Sequence, residues 1–155
     1  MKSVFRIIPI FLAVCIMTNT VLAVSDEYSA SITGETILYC DDGSFITITL
    51  NKFASETRGT IGGTKTYTCT KDGSVVWTAV LTATFSYTGY SSGCTGANCQ
   101  VTFQNNQYSL QDKTVTVSGN TAIATITVVH KVLGITISTA THTLTLSCDS
   151  NGNLS

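Results

Sequence analysis

The strongest pattern along this chain is alternation with a period of two. From Val75 to Gly89, Trp77, Ala79, Leu81, Ala83, Phe85 and Tyr87 fall on one face, while Thr78, Val80, Thr82, Thr84 and Ser86 fall on the other. Successive side chains of a strand point to opposite faces, so this stretch predicts a long strand with one buried side. The C-terminal third repeats the pattern. Val115 and Val117 lead to Ser118-Gly119-Asn120, a tight-turn signal. Ala122, Ala124, Ile126 and Val128 then share a face, as do Leu144, Leu146 and Cys148 near the end. Between them, Leu133, Ile135 and Ile137 follow a break at His130-Lys131.

The N-terminal half is less regular. Ile37–Cys40 and Phe45–Leu50 flank Asp41-Asp42-Gly43, which reads as a hairpin turn. Lys65–Thr70 is a short strand before another turn at Lys71-Asp72-Gly73. Two stretches read as loops: Phe53–Gly63, with three glycines, and Ser91–Asn98, rich in Gly and Ser. About eight strands and no helix predict an all-β fold, an antiparallel immunoglobulin-like β-sandwich. Cys69, Trp77 and Cys148 follow the immunoglobulin Cys…Trp…Cys order. The first gap is short, and Leu146 stands where that fold carries its corner tyrosine.

The first residues change this picture. A short basic start (Lys2, Arg6), an apolar run from Ile7 to Met17 and small residues up to Ala23 have the form of a secretory signal peptide cut after residue 23. The run of about eleven residues falls short of the ~20 that a spanning helix needs. Leu12-Ala13-Val14-Cys15 loosely resembles a lipidation site, but Val14 is bulky for one. The expectation is a signal peptide, 1–23, and a single secreted all-β domain, 24–155, with no membrane span after cleavage.

Cleavage also alters charge and cysteine arithmetic. Lys2 and Arg6 leave with the leader, which takes the formal charge from −1 to −3. Nucleic acid is set aside as a partner, because no basic patch is left. Charged residues are only 11% of the chain, and Thr and Ser fill the polar strand positions instead. Cys15 leaves too, so five of the six cysteines stay: Cys40, Cys69, Cys94, Cys99 and Cys148. Export permits disulfides. Cys94 and Cys99 are the most local candidate pair. Cys148 faces inward with Leu144 and Leu146, and its partner would be Cys40 or Cys69. The remaining thiol would be free or bridge two molecules in a disulfide-linked dimer.

No motif carries catalysis, and no cofactor or metal site is expected. His130 and His142 lack a nucleophile elbow, and read as strand histidines. A zinc site from Cys94 and Cys99 with either histidine would have loose spacing. Asp149-Ser150-Asn151-Gly152 has the start of a calcium loop but lacks its later ligands. Most acids sit in predicted turns, where Asp bonds its own backbone. Tyr90, Phe103 and Tyr108 flank the Cys94–Cys99 segment with Gln100, Gln104, Asn105, Asn106 and Gln107. This polar-aromatic segment is the candidate contact for an extracellular protein or glycan. The leading expectation is a secreted or surface-associated, non-catalytic binding or structural module. The alternatives are a small glycan-active hydrolase using turn carboxylates such as Asp42 and Asp72, or an inhibitor or toxin-like effector.

The stretch Val76–Gly89, the Cys94/Cys99 segment, Lys131-Val132-Leu133-Gly134 and the ending Leu144–Cys148 with Gly152 resembles a group of small, uncharacterised secreted proteins of Gram-positive bacteria. The resemblance spans about the last eighty residues. It implies export and a β fold, and it brings no site residues.

Overall fold

The computed structural model describes residues 31–40, 42–54 and 59–155. The expected signal peptide and Cys15 lie outside them. The described chain forms eight strands and no helix: β1 (Ser31–Tyr39), β2 (Phe45–Ala54), β3 (Thr60–Lys71), β4 (Ser74–Tyr87), β5 (Ser92–Phe103), β6 (Tyr108–Ser118), β7 (Thr121–Val132) and β8 (Ile135–Ser147). They make two antiparallel sheets, β1-β2-β3-β4-β5 and β6-β7-β8. Within each sheet, every strand pairs with its neighbour in sequence. Immunoglobulin order instead sorts its strands into interleaved sheets, so the strand order here is that of two meanders joined once, between β5 and β6.

The turns explain the meander. Asp72 and Gly73 have φ of 51° and 75°, and Leu133 and Gly134 have 52° and 81°. Two consecutive positive φ values suit the type I′ hairpin, whose twist matches that of the strands. Leu133 lacks the glycine or asparagine usual there. It stands almost fully exposed, with Ile135 and Ile137 exposed beside it.

The core lies between the sheets. From β4 it takes Trp77, Ala79, Leu81, Ala83 and Phe85; from β7, Ala122, Ala124, Ile126 and Val128; from β8, Leu144 and Leu146, followed by Cys148. These are the faces that the alternation predicts, and β7 and β8 pack across β3, β4 and β5.

Two predicted loops are strands instead. Much of Phe53–Gly63 extends the β2–β3 hairpin, with Lys52 opposite Gly63 and Phe53 opposite Gly62. The glycines serve close approach: the Phe53 ring covers Gly62, while Leu154 and the Asn51 carbonyl crowd Gly63. The second, Ser91–Asn98, is the first half of β5. Gly96 lies opposite Thr84 and Cys94 opposite Phe85, with Thr95 bulged out between them. The Thr95 hydroxyl holds the bulge by donating to Thr84 O (3.1 Å) and to Thr84 Oγ1 (3.1 Å). Small residues at an edge strand with a bulge carry the same composition as a loop.

This register also corrects the cysteine pairings. Cys94 and Cys99 lie opposite Phe85 and Leu81. Four residues of β4 separate those positions, roughly 13 Å at about 3.3 Å per residue. A disulfide needs Cα atoms within about 7 Å, so this fold does not join Cys94 to Cys99. Cys148 lies six residues past His142, toward the end of the sheets opposite Cys40 and Cys69, and it is not placed to meet either one. All five described thiols are unpaired.

Candidate functional site

In a meander, alternate turns share an end. The β1–β2, β3–β4 and β7–β8 turns therefore gather with the β5–β6 crossover at one end of the two sheets. That end brings together titratable side chains from both sheets. Cys40 and Ser44 come from the first hairpin: Cys40 N donates to Ser44 O (2.9 Å). Cys69 and Lys71 end β3, Trp77 begins β4, Tyr108 opens β6, and His130 and His142 come from β7 and β8.

These residues line two adjoining clefts. One, of about 470 Å³, lies between the sheets and includes Cys40, Asp42, Ser44, Cys69, Trp77 and His142. The other, of about 810 Å³, lies between the β3–β4 turn and the crossover, and includes Lys71, Asp72, Val75, Val76 and Gln104 to Gln107. Tyr108 and His130 line both. They are a cross-strand pair whose rings stack at 4.5 Å and 3°.

Asp42 is fully engaged. Ser44 Oγ donates to its Oδ1 (2.5 Å), as does Ser44 N (3.1 Å), and Lys71 Nζ reaches its Oδ2 (3.1 Å). The Ser44 hydroxyl above all, then its amide and Lys71, hold the Asp42 carboxyl down at about 2 against partial desolvation. Because that is below the ordinary 3.8, the stabilisation is complete above pH 4 and fades as pH falls toward 2. Asp42 is largely exposed, and solvent screening limits the effect to about 1 kcal/mol or less. Acid unfolding followed by circular dichroism is expected to show Asp42→Asn converging on the wild type near pH 2.

Burial shifts the neighbouring groups. It lowers the pKa of His142, whose ring lies 5.1 Å from that of Trp77, and so favours the neutral form. It raises the Cys69 and Tyr108 pKa values, keeping a thiol and a phenol. A protonated Cys69 is a poor nucleophile.

Tyr108 is the exception to good pairing. It is only 9% exposed, and its Oη is buried with no hydrogen-bond partner among the described residues. An unmade hydrogen bond at a buried hydroxyl costs about 1–3 kcal/mol. Tyr108→Phe is therefore expected to leave the ligand-free protein equally stable or up to about 1 kcal/mol more stable, where a bonded tyrosine would lose a similar amount. Thermal melting without ligand checks this.

Of the three expected contact aromatics, only Tyr108 reaches the clefts, while Gln104, Asn105, Asn106 and Gln107 of the same segment line the larger one. Tyr90 is almost fully exposed at the opposite end, in the β4–β5 turn. Phe103 ends β5 opposite Trp77 and packs on the core. The proposed metal donors are likewise apart, with Cys94 near the end opposite His130 and His142. Asp149 accepts from Asn151 N and Asn153 N (2.8 Å each) and from Asn153 Nδ2 (2.8 Å), capping its own loop. The convergence of Asp42, Ser44, Cys69 and both histidines was missed from sequence. Its signal was the alternation of turns between the two ends.

The class these features define is an all-β antiparallel protein, with eight strands among the described residues and two adjoining clefts at one end of its sheets. No protein-family model, curated protein or solved structure matches the chain.

Proposed function

We propose that this chain is a secreted or surface-associated β-sandwich module that binds a ligand at the cleft end and performs no chemistry of its own. Its partner is an extracellular glycan or protein. Export rests on the form of residues 1–23, and the sandwich reading on two sheets sharing one core. The observation that carries binding is Tyr108, which lines both clefts and whose buried hydroxyl has no partner among the described residues. A ligand oxygen or nitrogen there would supply the missing hydrogen bond. The hydrolase alternative has weaker support. It needs one carboxyl raised to act as an acid, and Asp42 is lowered by its own hydrogen bonds.

The test is to screen the secreted protein on glycan and peptide arrays while assaying the same libraries for cleavage. Retention without turnover is expected, weakened about tenfold or more by Tyr108→Phe, the equivalent of one hydrogen bond of ~1.4 kcal/mol. Tyr90→Ala, at the far end, should bind like the wild type. Cleavage abolished by Asp42→Asn or Asp72→Asn would overturn the proposal, as would binding that depends on Tyr90 and ignores Tyr108.

A further inference from the structure

Resting on that reading, we infer that the larger cleft takes a neutral, hydroxyl-rich saccharide. The cleft is walled by the crossover Gln104-Asn105-Asn106-Gln107, and this wall is held in place. Gln104 N and Asn105 N donate to Val76 O (3.0 and 3.3 Å), Gln107 N donates to Asn105 Oδ1 (2.9 Å), and Lys131 N donates to Gln107 O (2.7 Å). A fixed loop presents its side chains without a large ordering cost on binding. Those of Gln104, Asn106 and Gln107 are exposed. Each carries a planar amide that both donates and accepts. Such groups suit vicinal hydroxyls, which also do both.

The lining also includes Val75, 41% exposed, an apolar contact suited to the C–H face of a sugar ring. Tyr108 also lines this cleft, with its ring stacked on His130 and its hydroxyl buried without a partner among the described residues. The volume of about 810 Å³ is within the range of small-ligand sites.

Charge and topology narrow the class. The charged residues lining this cleft are Lys71 and Asp72, and Lys71 also pairs with Asp42. Lys71 is thus offset by Asp42 and Asp72, and no net positive charge is left to select an anionic ligand. A peptide added as an extra strand needs an unpaired strand edge. Of the strands lining this cleft, β3, β4 and β7 are interior to their sheets. Tyr108 opens an edge strand, but its amide donates to Asn105 O (3.1 Å). An extended peptide therefore finds no backbone partner there.

The experiment is an array of neutral, sulfated and sialylated saccharides probed with the secreted protein, followed by calorimetry on the strongest neutral member. Neutral saccharides should bind with affinity nearly constant between about 50 and 500 mM salt, since no exposed ion pair is formed. Tyr108→Phe and Gln107→Ala should each lower affinity about tenfold while far-ultraviolet circular dichroism and melting are retained. Binding of sulfated or sialylated members alone, or affinity that falls steeply with salt, overturns the inference. So does a peptide ligand weakened by Tyr108→Phe when no saccharide binds, an outcome that keeps the binding-module reading. A ligand indifferent to both substitutions overturns both.

Discussion

Trp77→Ala is expected to destabilise the protein by about 3–5 kcal/mol, the upper range for truncation of a core side chain. Trp77 is 2% exposed and is the only tryptophan. It lies opposite Cys69 on β3 and Phe103 on β5, and its ring meets His142 of the other sheet. Truncation thus removes contacts to both sheets at once. The surrounding ladders hold the backbone in place, so the space cannot close. The void would open toward the cleft that Trp77 already lines, and water entering there would place the loss at the lower end of the range. Urea unfolding followed by circular dichroism should shift its midpoint by about 1 M or more. A midpoint that barely moves would show that Trp77 is not core.

Gly63→Val should cost about 1–3 kcal/mol, even though valine favours strands. A Cβ at Gly63 meets the Leu154 side chain, then the Asn51 carbonyl at 2.9 Å and Leu146 at 3.8 Å. Leu154 belongs to the terminal segment, which is tied back by a bridge to Cys148. The Asn51 carbonyl is backbone of the adjacent strand and cannot yield without disturbing the β2–β3 pairing. Gly93→Ala is the control. Its nearest neighbour would be Ser86 Oγ at 3.9 Å, an ordinary contact, and its stability should stay within about 0.5 kcal/mol of wild type. Equal stabilities for the two variants would refute the crowding at Gly63.

The two glycine sites show why local composition misleads. Gly62 and Gly63 resemble loop residues until the Phe53 ring and Leu154 are seen above them. Gly93 and Gly96 likewise suggest a loop, although they lie in β5 beside its bulge. At Gly62 and Gly63 the reason for glycine is a side chain brought in from elsewhere in the fold; in β5 the strand character comes from pairing with β4. The cysteines failed differently. Cys94 and Cys99 are near in sequence, but an extended strand separates what a loop would bring together. Tyr108 was legible as a candidate, whereas its orphaned hydroxyl was not. That depends on where Lys71, Asp42 and His130 fall around it.

The sequence by itself determined the buried faces of β4, β7 and the last half of β8, and the sharp turns at Asp72-Gly73 and Ser118-Gly119-Asn120. Period-two alternation and glycine's access to positive φ are local properties, readable wherever they occur. Tertiary structure alone decided the division into sheets of five and three strands, the strand character of β5, the placement of the cysteines, and the meeting of Asp42, Ser44, Tyr108 and the two histidines. Each of these depends on pairing and packing between residues far apart along the chain, and no local pattern encodes which strands lie side by side.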